Sequence, residues 1–158
     1  MKELIRFHVP GIPAPGGSKR AFWRPGMKHA NIVDAGGEKT KNWRAVVALA
    51  ARQAWIGETF GGPLHLQITF TMPRPKHHYR TGKHAGQLKD DAPSYHTSKP
   101  DTTKLMRSTE DALTSILWKD DAAIASQYPV KVYGDQPGAQ IVLFSLEDRL
   151  PCSANPPS

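Results

Sequence analysis

The sequence predicts a single domain of mixed α and β structure. Three observations predict it: short segments in which apolar and polar residues alternate, two segments in which apolar residues recur every three or four positions, and a length of 158 residues. Alternation is typical of half-buried strands, and the longer period is typical of amphipathic helices. A chain of this length buries about 70% of its unfolded surface, which is enough for one core. We expect the domain to span residues 1–148 and residues 149–158 to form a disordered tail.

The first half of the chain predicts a strand, a loose hairpin and a helix. Alternation over residues 3–9 predicts the strand, which stops at Pro10. Closely spaced glycines and prolines over residues 13–37 predict a loop or loose hairpin, whose arms are residues 21–24 and 31–33. Residues 38–56 place apolar side chains on one helical face and predict a helix that Gly57 ends.

The second half predicts a strand, a long loop, a helix and two more strands. Residues 63–72 alternate most clearly, with leucine, isoleucine and phenylalanine on one face. Residues 73–97 have no apolar period, and a connection of this length is either mobile or functional. Helical spacing returns over residues 101–117, and residues 123–132 and 139–146 predict the last strands.

The helix predicted over residues 101–117 has two distinct faces. A rotation of about 100° per residue puts its apolar side chains on one arc and its charged side chains on the other. The expected core face consists of Leu105, Thr109, Ala112, Leu113, Ile116 and Leu117. The expected polar face consists of Asp101, Lys104, Arg107, Ser108 and Asp111.

The composition favours a soluble protein with a polyanionic partner. Lysine and arginine number 21 against 14 acids, which gives a net charge of +7 and a pI near 9.7. Such a charge favours nucleic acid, although a solvated basic surface also produces it. The one cysteine, Cys152, excludes a disulfide framework and a thiolate metal site. Apolar runs are too short for a membrane span, so we expect a cytoplasmic protein.

Acidic residues are concentrated in one part of this basic chain. Seven of the 14 carboxylates fall within residues 90–121. Asp101 follows Pro100 at the expected start of a helix, where a carboxylate either complements the helix dipole or is held for function. Asp120 and Asp121 follow that helix, where they either form a simple turn or contribute to a functional site. Carboxylates from two elements beside basic side chains suit divalent-metal phosphodiester chemistry.

Three short blocks in this region share a recognisable order and spacing. Residues 99–105 read Lys-Pro-Asp-Thr-Thr-Lys-Leu, residues 111–114 read Asp-Ala-Leu-Thr, and residues 118–124 read Trp-Lys-Asp-Asp-Ala-Ala-Ile. This pattern resembles the signature of the RusA family of Holliday junction resolvases, which is common in phages and prophages. In that family the blocks usually run Lys-Pro-Asp-x-Asp-Asn-Leu, Asp-Ala-Leu, and an aromatic residue followed by x-Asp-Asp-x-x-Ile/Val. The resemblance is strongest over residues 98–125.

The resemblance implies both a fold and an activity. The fold is of α+β type, a small mixed sheet packed by two helices, and the protein is a homodimer. The activity is Mg²⁺-dependent paired incision of four-way DNA junctions in recombination and repair, and Mn²⁺ can substitute for Mg²⁺. Carried over by position, Asp101, Asp120 and Asp121 are the catalytic acids and the metal ligands. Arg107 stands where the family usually has a helix lysine and is the fourth catalytic residue.

One position departs from the family pattern. Thr103 stands where the family usually has a second aspartate, and a threonine offers a metal only a neutral hydroxyl. The alternative function is therefore a junction-binding or branched-DNA-binding protein that has the same fold and does not cut. A third possibility is a basic interaction protein without a nuclease role.

Two basic loops are the candidate DNA-binding surfaces. In residues 73–97, and again in residues 19–28, basic and aromatic side chains interleave, as in segments that follow a phosphate backbone and stack on unpaired bases. With the lysines around Asp101, the expected DNA-binding residues are Lys19, Arg20, Arg24, Arg74, Lys76, Arg80, Lys83, Lys99 and Lys104.

Overall fold

The computed structural model describes residues 1–17, 19–22, 25–26, 28–29, 31–34 and 37–146. Over residues 19–22 and 31–34 it describes the backbone alone. Arg24 and the tail expected at residues 149–158 lie outside the described residues. Across the described part of the chain, no helix is both long enough and apolar enough to cross a membrane.

The elements follow the order expected from the sequence. In the described residues they are β1 (Lys2–Pro10), β2 (Lys19–Phe22), β3 (Asn31–Asp34), α1 (Gly37–Ala54), β4 (Leu64–Pro73), α2 (Thr102–Leu113), β5 (Ile124–Gly134) and β6 (Gly138–Ser145). Short 3₁₀ turns occupy Lys76–His78, Gly82–His84 and Asp121–Ala123. The small antiparallel pair β2–β3 confirms the loose hairpin.

A four-stranded mixed sheet forms the centre of the protein. Its strand order is β1-β6-β4-β5, with β4 and β5 parallel and the other neighbours antiparallel. The chain between β4 and β5 contains α2, as expected because parallel strands need a crossover connection. Side chains along β4 alternate between buried and half-buried positions, so one face of the sheet is packed. The expected mixed sheet packed by two helices is confirmed.

The two helices pack against each other as well as on the sheet. Trp43 of α1 is buried, and its Nε1 donates a hydrogen bond of 3.1 Å to Thr109 Oγ1 of α2. Closer to the surface, Arg44 Nη2 lies 2.6 Å from Asp111 Oδ2. These contacts fix the position of α2, which carries several of the candidate site residues.

The end of α2 differs from the sequence prediction. The helix stops at Leu113 instead of continuing to residue 117. Ser115 adopts a φ of +68°, and its N–H bonds the Trp118 carbonyl at 2.6 Å. A residue in the left-handed region breaks the helical path. Leu117 nevertheless remains fully buried, so the apolar pattern predicted burial correctly and the conformation wrongly.

Ser108 also differs from its expected exposed position on the polar face. It is fully buried, because Gly16 lies against this side of α2. The Gly16 N–H donates to the Lys104 carbonyl at 2.9 Å, and a Cβ at Gly16 would lie 3.6 Å from the Ser108 nitrogen. The polar face of α2 is therefore narrower than its sequence pattern suggests.

The loop over residues 73–97 is tied to the domain by backbone hydrogen bonds. The Lys89 N–H bonds the His78 carbonyl at 3.0 Å, and the Tyr133 N–H bonds the Ser94 carbonyl at 2.8 Å. An isolated bridge also pairs Tyr95 with Val132 of β5. The loop thus extends the sheet surface beside the entrance to α2.

Candidate active site

Asp101 occupies the position immediately before α2. Its carbonyl accepts hydrogen bonds of 3.1 Å from the N–H groups of Lys104 and Leu105, so the backbone begins the helix. Its carboxylate makes no capping hydrogen bond and is 58% exposed. Lys104 Nζ lies 3.4 Å from Oδ2. The carboxylate therefore faces solvent and one lysine, which leaves its oxygens available to a ligand.

Lys131 of β5 holds the segment that presents Asp101. Its ammonium donates to the Ser98 carbonyl at 2.8 Å and to the Pro100 carbonyl at 2.6 Å. Burial lowers the pKa of Lys131, and the nearby Asp101 carboxylate acts in the opposite direction. Lys131 thus fixes the backbone immediately before Asp101 and adds positive charge beside it.

Asp120 and Asp121 lie in the turn between α2 and β5, and their surroundings differ. Asp120 Oδ1 accepts from the Ala122 N–H at 2.9 Å, which is an ordinary turn-capping contact. Asp121 Oδ1 accepts from Trp118 Nε1 at 2.9 Å and also lies within hydrogen-bonding distance of Thr114 Oγ1. Because Trp118 is fully buried, the Asp121 carboxylate is held against the C-terminal end of α2.

Glu110 is a further acid at this end of α2. Its side chain is half-buried, and Gln127 Nε2 donates a hydrogen bond to Oε1. Burial, then the charges of Asp121 and Asp111, raise the pKa of Glu110 from 4.5 to about 7. Removing a carboxylate from water and placing it beside like charges both favour the neutral form. Glu110 therefore holds a proton more tightly than an ordinary carboxylate.

The side chains of Thr103, Arg107 and Glu110 follow one face of α2. They are spaced by four and three residues, which is one turn per step. Thr103 and Arg107 are exposed. Within the described residues Arg107 has no ion-pair partner, so its guanidinium is available to a phosphate.

The acids lie at opposite ends of α2. The helix has 12 residues, so its ends are about 18 Å apart at 1.5 Å per residue. Asp101 precedes the first turn, whereas Glu110 and Asp121 lie at the last. Among the described residues, no group of three or more histidine, cysteine or acidic side chains is placed to hold a metal ion. One copy of the chain therefore does not bring Asp101 together with Asp120 and Asp121, and the three do not form a metal site within it.

The candidate DNA-binding residues fall into three groups. Arg74 and Arg80 hold the long loop: Arg74 donates to the Pro93 carbonyl at 2.9 Å, and Arg80 pairs with Asp90 at 2.7 Å. Exposed ammonium groups belong to Lys76, Lys83, Lys99 and Lys104. The side chains of Lys19 and Arg20, and the whole of Arg24, lie outside what the structure describes. DNA contact by all nine residues stays a prediction.

Comparison with known proteins assigns the chain to a family. The family model named Endodeoxyribonuclease RusA matches residues 15–143, which include α1, α2 and most of the sheet. The chain belongs to the RusA endodeoxyribonuclease family. Among curated proteins, this RusA-family chain is similar to the uncharacterized protein YqaN of Bacillus subtilis (strain 168). The two are 26% identical over 141 residues, which cover 89% of this chain and 96% of YqaN. Membership of the RusA family confirms the class expected from the three sequence blocks and supports nuclease activity on DNA.

Two residues at the site of this RusA-family chain were not singled out by the sequence. Glu110 belongs to the acid-rich span, and its spacing of seven residues from Thr103 was the available signal. Lys131 lies between Val130 and Val132 in a strand and carries no local signal of its role. Its importance comes from the loop that packs over it.

Proposed function

We propose that this RusA-family protein is a divalent-metal-dependent endonuclease that resolves four-way DNA junctions by paired, symmetric incisions, as a homodimer. The observation that carries the proposal is the placement of acids at both ends of α2, with Arg107 between them. Among the described residues, neither end alone groups three or more ligating side chains to hold a metal ion, and a phosphodiester-cleaving site needs several hard oxygen ligands.

A dimer of two chains related by a two-fold axis brings together carboxylates that are far apart in one chain. Two α2 helices related by a two-fold axis perpendicular to them run antiparallel, so the start of one lies beside the end of the other. Asp101 of one copy then meets Asp120 and Asp121 of the other. The same axis creates two identical sites, which matches the two-fold symmetry of a four-way junction. Homodimer formation thus accounts for paired incision.

The residues at each such site have complementary chemistry. Carboxylate oxygens are the ligands that Mg²⁺ prefers, and a bound divalent ion polarises a phosphate and acidifies water. Arg107 pairs with phosphate oxygens, and Lys104 adds a second cation beside Asp101. Thr103 has no carboxyl group, and Glu110 provides one on the same face of α2.

The test uses mixed dimers of two inactive variants. Asp101→Asn alone and Asp121→Asn alone are each expected to bind a synthetic four-way junction and to leave it uncut in Mg²⁺. The two chains are then co-expressed with different affinity tags and purified through both tags. A mixed dimer contains one site with both aspartates and one site with neither, so it is expected to nick a single strand.

The outcomes separate the parts of the proposal. A mixed dimer that stays inactive, while the wild type cuts, refutes the site shared between copies. Cutting by Asp121→Asn alone refutes the assignment of Asp121. A wild-type protein that binds the junction and cuts in neither Mg²⁺ nor Mn²⁺ is the non-catalytic junction-binding alternative, which Thr103 favours. A protein that does not bind the junction is the basic interaction protein.

A further inference from the structure

We propose that a cavity beside Asp101 binds one nucleobase of the DNA strand, next to the phosphate that is cut. The inference rests on the proposed function in one respect, because it identifies the phosphate by its proximity to Asp101. The cavity itself does not depend on cleavage and is tested separately below.

The cavity has the size and the walls of a small-ligand pocket. Its volume is about 790 Å³, within the roughly 300–1,000 Å³ that such pockets usually have. The segment after β1, the first turns of α1, the end of β4 and the entrance to α2 enclose it. Its apolar walls consist of Pro10, Ile12, Pro13, Ala14, Pro15, Trp43, Val46, Met72 and Pro100. These walls are apolar and suit a flat, weakly hydrated ring.

The charge around the cavity selects the class of ligand. Lys39, Lys99 and Lys104 line it together with Asp101, so positive charge exceeds negative by two. All three lysines are exposed and able to reach an anion in solution. A ligand that fits has an apolar, planar body attached to phosphate, which describes a nucleotide. The lysines contact the phosphates, which position the strand without reading its sequence.

A four-way junction contains bases that can be extruded at a low cost in free energy. Extruding a base from a duplex costs unstacking and unpairing energy, and the cost is smallest where stacking is already interrupted. Stacking is interrupted at the crossover, next to the phosphates that a resolvase cuts. Asn42, which is exposed and also lines the cavity, provides an amide able to bond the edge of a base. A base held there fixes the adjacent phosphate relative to Asp101.

The chain offers a matched pair of substitutions for the test. Ile12 lines the cavity and is 61% exposed, so Ile12→Asp adds a charge at the apolar wall without opening the core. Ile56 is 94% exposed and lies outside the cavity, so Ile56→Asp is the control with the same change of residue and charge. Ile12→Leu keeps the apolar wall, so it is expected to retain most of the binding that Ile12→Asp loses.

Two probes carry the fluorescent base 2-aminopurine. One is a single-stranded tetranucleotide, and the other is a four-way junction with the base next to the crossover, both measured in EDTA. Transfer of the base from its neighbours into the cavity is expected to change its emission. Ile12→Asp is expected to weaken tetranucleotide binding by about tenfold or more, the effect of losing one stacked base. Ile56→Asp is expected to leave it unchanged.

The cavity and the proposed function fail in different ways. If the wild type cuts junctions and neither probe changes emission, or Ile56→Asp weakens binding as much as Ile12→Asp, the base-binding cavity is wrong and the nuclease stands. If the tetranucleotide responds and is sensitive to Ile12→Asp while junctions are neither bound nor cut, the cavity stands and the nuclease is wrong. An acidic peptide that displaces the tetranucleotide at lower concentration would overturn the nucleobase assignment.

Discussion

Replacing Glu110 by glutamine tests the electrostatics at the C-terminal end of α2. A pKa raised from 4.5 to about 7 means that the folded protein holds a proton that the unfolded chain releases over this pH range. The neutral carboxyl is the favoured folded form, so the contribution of Glu110 to the free energy of unfolding falls as the pH rises from about 4.5 to 7. Glutamine keeps the acceptor for Gln127 and does not titrate.

The size of the expected difference in unfolding free energy follows from the same pKa of Glu110. At 1.36 kcal/mol per pH unit, the change from 4.5 to about 7 corresponds to at most about 3.4 kcal/mol. Glu110 is only half-buried, so water screens part of this energy and we expect about 1–2 kcal/mol. Glu110→Gln should therefore match the wild type near pH 4.5 and exceed its unfolding free energy by about 1–2 kcal/mol at pH 8.

Urea unfolding of both proteins between pH 4.5 and 8 measures this difference. The histidines with lowered pKa values, His78 and His96, are present in both proteins, so their contributions cancel. Glu58→Gln is the control, because it makes the same substitution at an exposed glutamate. Parallel stability curves for Glu110→Gln and the wild type would refute the reasoning, because Glu110 would then be ionised as in the unfolded chain.

Two further predictions concern packing and DNA contact. Gly138→Ala would place a Cβ 2.6 Å from the Val9 carbonyl oxygen, so we expect urea unfolding to show a loss of about 1–3 kcal/mol. At Gly61 a Cβ meets nothing within 4 Å, so Gly61→Ala should change stability by less than about 0.5 kcal/mol; equal effects at the two positions would refute the close β1–β6 approach. Junction affinity, measured by fluorescence anisotropy, should fall by about a thousandfold or more between 50 and 200 mM salt if at least six phosphates are contacted. Lys83→Ala should reduce the slope of that dependence by about one, whereas Lys2→Ala, at the opposite end of the sheet, should not; equal slopes would exclude the long loop from the DNA surface.

Most of the fold follows from local patterns, because burial on one face leaves a period in the sequence. The alternation over β4 and the helical spacing over α1 both predicted real elements with small errors at their ends. The exceptions depend on residues distant in sequence. Ser108 is buried because Gly16 lies against it, and the residue pattern of the helix alone does not indicate that contact.

The candidate site was harder to predict for a related reason. Acidic residues that are close in the sequence need not be close in space, because a helix between them separates them by its length. The sequence blocks identified Asp101 and Asp121, and the family match supports the class of enzyme they suggest. The sequence placed them at the start and after the end of a helix, and the structure gives the length of that helix, on which their separation depends, as 12 residues.

The partners of the arginines show which part of the net charge of +7 is available to bind DNA. Arginine forms rigid, directional hydrogen bonds, so it is well suited to holding backbone and carboxylates. Arg44, Arg74 and Arg80 are used in this way, within the domain. The exposed lysines and Arg107 are left to face a polyanion. The DNA surface is therefore best sought among the lysines around the long loop and Asp101, and substitution of Arg74 or Arg80 should first loosen that loop.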